Sequence, residues 1–141
     1  MTTKTYIGLD IGDRRIGVAV SQLGTMAMPL EVITRNGCEL DRIAELAREH
    51  EAAAIVSGMP YSLDGTLKPQ AGKVQAFIDE LAARIDIPIE TIDERLTTAQ
   101  ANRMLISADR KSKERKQVVD KVAATLILQA YLDRLAAGGA R

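Results

Sequence analysis

Between Lys4 and Ser21 the chain carries two runs of strand-forming residues, KTYIGLD (4–10) and RIGVAVS (15–21), separated by only Ile11, Gly12, Asp13 and Arg14. The tight Gly-Asp turn makes the two runs a hairpin, so any sheet this chain builds starts with an antiparallel pair. Asp10 closes the first run. With apolar runs on both sides, that strand reads as central. A carboxylate at the end of a central strand is costly unless it is paired or bound to a cation. The plainer account is that aspartate favours turns. Period-two alternation puts Tyr6, Gly8 and Asp10 on one face and Ile7, Leu9 and Ile11 on the other.

The rest of the chain alternates periods. Met28–Ile33 reads as a third strand. Leu40–Glu51 places Leu40, Ile43, Ala44 and Ala47 at helical spacing. Ala53–Gly58 is a short apolar run ended by Gly and Pro, as a buried strand would be. Gln70–Arg84 reads as a helix, Ile87–Ile92 as a strand, and Thr97–Leu105 as a helix with Thr97 or Thr98 as N-cap. Ser107–Lys116 is polar and basic, and reads as a mobile loop. Val118–Ala137 is the longest helix, with Val119, Val122, Ala123, Leu126 and Ala130 on one face. A hairpin followed by helical crossovers gives an α/β fold with a mixed five-stranded sheet and helices on both faces. With no repeat and no linker, residues 1–141 make a single domain.

Composition sets the bounds. A chain of 141 residues buries roughly 70% of its unfolded surface, enough to fold without a disulfide or a structural metal. Only four residues are aromatic, so the core is aliphatic. No apolar run approaches the ~20 residues of a membrane span, and the polar N-terminus has no signal-peptide core, which points to the cytoplasm. Cys38 is the single cysteine and rules out an internal disulfide. Nineteen basic residues balance nineteen acidic ones, so any affinity for nucleic acid must come from a local patch. RKSKERK (110–116) is the densest basic cluster, with Arg110, Lys111, Lys113, Arg115 and Lys116.

Three places carry acids where solvent does not explain them. Asp10 is the first. The second is Asp93-Glu94-Arg95, where a strand ends before a helix. Asp93 and Glu94 face opposite ways, and the sequence does not choose between them. The end of a parallel strand is where open α/β sheets place ligands. The third is Asp120. Ala124, Ile127 and Tyr131 follow it at +4, +7 and +11, so it lies on or beside an apolar stripe. Small Ala123 and Ala124 would let that part of the helix approach the sheet closely. Acids pressed together on separate elements need a cation between them. Mg2+ takes such oxygen ligands, and it can activate water and steady the leaving oxygen of a phosphodiester. His50, the only histidine, falls at a helix end, and a Cys–His mechanism has little support. The segment GMPYSLDGTLKPQ (58–70) follows a parallel strand and reads as a substrate-facing loop.

Four segments, GLDIGDRRIGVAVS, GMPYSLDGT, IDERLTTAQA and VVDKVAATLILQAYL, together resemble the signature segments of the YqgF (RuvX) family, in that family's order and over nearly the whole chain. The resemblance implies a ribonuclease H-like three-layer α/β/α fold related to RuvC-type Holliday junction resolvases. It implies a nuclease in 5′-end maturation of pre-16S rRNA, or alternatively a resolvase acting in DNA recombination and repair. It also implies that Asp10, Glu94 and Asp120 are the acidic active-site residues, favouring Glu94 over Asp93, and that the ion is Mg2+ or Mn2+. RuvC-type resolvases carry two acids spaced i, i+3 on the last helix. Here Gln117 and Ala123 occupy the positions three before and three after Asp120, leaving three candidate ligands. Gln22 stands where many members have an acid. Arg14, Arg15, Arg95, Arg110, Lys111, Lys113 and Lys116 are the cations expected to meet the phosphates of pre-rRNA or branched DNA. A homodimer would suit the two-fold symmetry of a four-way junction. Two other classes remain. One is a non-catalytic RNA-binding assembly factor. The other is an actin-like nucleotide-binding protein, whose phosphate hairpin DxGxxxxGVAV resembles but whose two-domain cleft needs a longer chain.

Overall fold

A computed structural model describes residues 4–60, 69–94 and 113–138, the side chains of 113–119 excepted. Strands β1 (Thr5–Ile11), β2 (Arg15–Ser21) and β3 (Met28–Thr34) form an antiparallel meander. Helix α1 (Glu39–Glu49) returns the chain to β4 (Ala52–Met59), which lies parallel to β1. Helix α2 (Pro69–Ala82) then leads to β5 (Ile89–Asp93), parallel to β4. Helix α3 (Lys113–Ala136) ends the described chain. The sheet order is β3-β2-β1-β4-β5, so β1 is the central strand that its two apolar flanks predict.

The two faces of the sheet bury different cores, as strand alternation requires. Ile7, Leu9, Ile16, Val18 and Ile55 pack with Ile43 and Leu46 of α1 and Val74, Phe77 and Leu81 of α2. Ala19, Val56 and Ile92 pack with Ala123, Ala124, Ile127 and Leu128 of α3. The result is three layers, with α1 and α2 on one face and α3 on the other. Among the described residues no helix is long and apolar enough to cross a membrane.

Most expected elements fall within two residues of their observed bounds. One expectation fails. Ser107–Lys116 is not a loop throughout, because α3 begins at Lys113. Lys, Glu and Arg are strong helix formers, so a polar run can extend a helix beyond its buried stripe. The expected helix Thr97–Leu105 and most of the 58–70 segment lie outside the described residues. Cys38 stands at the N-cap of α1, and the His50 N–H at its C-cap donates to the Leu46 carbonyl at 3.0 Å.

The turn after Asp10 is tied down from the α1–α2 side. The Gly12 N–H donates to the Arg15 carbonyl at 3.0 Å, closing the hairpin. The Arg35 N–H donates to the Arg14 carbonyl at 2.9 Å. Arg35 Nη1 donates to the Gly12 carbonyl at 2.9 Å and Nε to Glu39 Oε2 at 3.1 Å. Its guanidinium lies 4.9 Å from the ring centroid of Phe77. Burial alone would raise the Glu39 carboxyl pKa. The N–H groups of Glu39 and Gly37 and the Arg35 guanidinium outweigh burial and hold it below its ordinary value.

On the α3 face the sheet is bare of side chains where the helix comes nearest. A Cβ added at Gly8 would stand 2.7 Å from Leu128 Cβ and 3.1 Å from the Ala124 carbonyl oxygen. Gly8→Ala should therefore destabilise the protein by about 1–3 kcal/mol through overpacking. Gly72 sits within α2 with nothing within 4 Å of its would-be Cβ. Gly72→Ala should stabilise it by roughly 0.5–1 kcal/mol. Urea denaturation of both variants checks the pair, and equal midpoints would show that α3 yields without cost.

Candidate active site at the end of the central strand

In the β1–β2 pairing Asp10 stands opposite Gly17. In the β1–β4 pairing Leu9 stands beside Ser57, so Gly58 is level with Asp10, and Gly58 in turn pairs with Ile92. Residues level with one another in a sheet project from the same face. The row Gly17–Asp10–Gly58–Ile92 therefore faces α3, with Asp10 flanked on both sides by glycine.

The other two acids occupy the space those glycines leave. A Cβ at Gly17 would collide with the backbone carbonyl of Asp120, so α3 sits directly on β2 at that position. A Cβ at Gly58 would stand 2.6 Å from Ile127 Cδ1, 2.8 Å from Glu94 Oε2 and 3.0 Å from Glu94 Cγ. Glu94 thus lies over Gly58 on one side of Asp10, and Asp120 lies over Gly17 on the other. Asp10 is 7% exposed and Glu94 4%, while Asp120 is partly buried. The structure separates the two acids that the sequence left open. Glu94 shares the α3 face with buried Ile92, whereas Asp93 points the other way and is only half-buried.

Arg15, the first residue of β2, projects to the same face. Its Nε donates to Asp120 Oδ2 at 2.7 Å. Gly12, Asp13, Arg14, Arg15 and Asp120 line an open pocket of ≈ 390 Å³ beside this pair. Arg14 is exposed there, and Asp13 lies 3.6 Å from Lys73 of α2. The three acids are brought to one end of one face, but they do not close into a cage. Among the described residues no three His, Cys, Asp or Glu side chains are gathered closely enough to hold a metal ion. Arg95, Arg110 and Lys111 lie outside the described residues, and Lys113 and Lys116 fall in the opening turn of α3.

In the sequence Gly58 reads only as the end of an apolar run and Gly17 as one residue of a strand. Their signal was a glycine inside a strand pattern, which marks close approach of another backbone or a ligand. The Arg15–Asp120 pair joins residues 105 apart in the chain and had no sequence signal.

The sequence model of the RuvX family, described as a Holliday junction resolvase, matches residues 4–134. A protein of Desulforudis audaxviator named "Putative pre-16S rRNA nuclease" is 47% identical over 135 residues, covering 94% of this chain and 96% of its own. A protein of the same name from Halothermothrix orenii is 50% identical over 130 residues, covering 90% and 93%. Among solved structures, RuvC of T. thermophilus in complex with a Holliday junction superimposes with a TM-score of 0.56 at 16% identity, covering 94% of this chain and 96% of that one. The Fowlpox virus resolvase with Holliday junction DNA gives 0.54 at 10% identity, covering 93% and 98%. At such identities the likeness is one of fold, and the fold is that of the ribonuclease H-like resolvases.

Gly58→Ala tests the seating of Glu94. Both side chains that the new methyl would meet are buried, so a loss of about 1–3 kcal/mol is expected in urea denaturation with an unchanged m-value. An unchanged midpoint would mean that Glu94 swings clear of β4.

Proposed function

This chain belongs to the RuvX family, and on that premise we propose that it is a divalent-metal-dependent nuclease that hydrolyses phosphodiester bonds in 5′-end maturation of pre-16S rRNA. The observation that carries this reading is the arrangement of Asp10, Glu94 and Asp120 on one face of the sheet, with Asp120 over Gly17, where a Cβ would collide with its backbone carbonyl, and Glu94 over Gly58. The names and high identity of its relatives support the substrate class. The family description, Holliday junction resolvase, favours branched DNA as the second reading.

The donor set suits the ion. Carboxylate oxygens are the hard ligands that Mg2+ and Mn2+ take, and no sulfur or imidazole stands among them. Asp10, Glu94 and Asp120 would hold it. When bound, such an ion supplies Lewis acidity and a reactive water at neutral pH. The protein's own groups do the rest. Arg14, exposed on the pocket rim, and Arg15 beside it present guanidinium forks that match a phosphate. Buried Asp10 and Glu94 confine negative charge to one end of the sheet, so a polyanion approaches productively only where cations balance them.

Asp10→Asn keeps the shape of the side chain and removes its charge. Metal-dependent cleavage of precursor 16S rRNA should fall by two orders of magnitude or more, on the order of the loss when one group of a preorganised catalytic set is removed. The melting temperature in metal-free buffer should hold or rise, because one of several like charges is gone. Full activity in Asp10→Asn would place the chemistry elsewhere. Running the same Mn2+-dependent assay on a four-way DNA junction separates the two substrates, and cleavage of the junction alone would favour the resolvase reading.

The basic cluster ahead of Asp120 supplies the backbone affinity in this reading. Each phosphate contact releases counterions, so each one lost should lower the slope of log affinity against log salt by about 0.7–0.9. The combined change Lys111→Ala, Lys113→Ala and Lys116→Ala should reduce both slope and affinity with stability held. An unchanged slope would make the cluster solvated surface.

A further inference from the structure

The Asp120 carboxylate is already engaged by a cation of the chain itself. Arg15 Nε donates to its Oδ2 at 2.7 Å, and the two side chains are only 21% and 16% exposed. Arg15 and Asp120 line the ≈ 390 Å³ pocket together with Gly12, Asp13 and Arg14, so the paired guanidinium borders the space a phosphate would enter. The same planar fork that pairs with a carboxylate pairs with a phosphate. It can exchange one anion for the other without leaving a partly buried charge unmatched.

We propose that Arg15 is a two-position latch. In the resting protein it holds Asp120, and a nucleic-acid phosphate draws its guanidinium away and releases Asp120 to the divalent ion. This rests on the reading of the site as a metal-dependent nuclease and adds how that site is armed. Both anions compete for one guanidinium, so substrate and ion favour each other's binding. Linkage makes that coupling equal in both directions. The free protein then binds the ion weakly and is loaded chiefly on its substrate.

The experiment is calorimetric titration of Mn2+ into the full-length wild type, Arg15→Gln, Lys73→Gln and Asp120→Asn. Each is titrated alone and with a saturating short single-stranded RNA made uncleavable by phosphorothioate linkages. With Mn2+ alone, Arg15→Gln should bind at least about fivefold more tightly than wild type, the lower end of ordinary coupling factors. Lys73→Gln, which removes an exposed charge beside Asp13 without touching Asp120, should stay within about twofold, as screening of exposed charges dictates. RNA should tighten Mn2+ binding to the wild type clearly more than to Arg15→Gln. Unchanged Mn2+ affinity in Arg15→Gln overturns the latch, and so does an equal rise in Lys73→Gln, which would be an effect of net charge. Loss of Mn2+ binding in Asp120→Asn alongside either result leaves the site standing and removes only the latch. Wild-type Mn2+ binding in Asp120→Asn overturns the site assignment and the latch together. Arg15→Met, with a similar stem and no donor, replaces Arg15→Gln if that variant melts below the working temperature, and the same outcomes apply to it.

Discussion

The structure depends on how closely α3 lies on the sheet. Van der Waals contact between a helix and a sheet normally keeps side chains between them. Here Gly8, Gly17 and Gly58 remove those side chains from β1, β2 and β4, and Ala123 and Ala124 thin the facing side of the helix. The backbone of Asp120 comes down directly onto Gly17. That contact fixes the height and position of α3, and with them the place of its carboxylate relative to Asp10. The catalytic reading of this face is therefore a consequence of packing. The residues that set it carry no functional group at all.

Gathering acids in this way has an electrostatic cost. Asp10 and Glu94 are buried, and like charges in a low-dielectric setting disfavour each other. Arg15, from the strand next to Asp10, offsets the share of that cost at Asp120 by pairing with its carboxylate at 2.7 Å. The arrangement makes Arg15 more than a surface pair. Its position on the α3 face follows from the same alternation that places Gly17 and Ala19 there, so the β2 strand contributes both the bare surface and the cation. Exposed ion pairs elsewhere, such as Arg84 with Asp41, have no such role and contribute little.

The opposite face holds the turn still. Arg35 reaches from the end of β3 to two carbonyls of the β1–β2 turn while its side chain is fixed by Glu39 and Phe77. Arg42 anchors the start of this arrangement by pairing with both oxygens of Glu31. These contacts join α1, α2 and β3 to the turn that follows Asp10. A side chain at the end of β1 is held only as firmly as the turn that follows it. Helices on the side away from the site thus help to define it.

Much of this was legible from the sequence because it is local. The hairpin of β1 and β2, the central position of β1 and the helical stripe around Ala124 and Ile127 follow from period and turn chemistry, which act over a few residues. The candidate acids were legible for the same reason, since Asp10, the pair Asp93–Glu94 and Asp120 each end or lie beside an apolar pattern. The start of α3 at Lys113 was not, because a run of Lys, Glu and Arg carries no apolar periodic trace in the sequence. Residue alternation showed that Asp93 and Glu94 face opposite ways, but only the sheet could say which side α3 covers, and so which acid joins Asp10. The level of Gly58 with Asp10, the seating of Asp120 on Gly17 and the Arg15–Asp120 pair were decided by tertiary structure alone. Each joins residues far apart in the chain, and their distances are set by how strands register and how closely a helix can pack. No local propensity encodes either quantity.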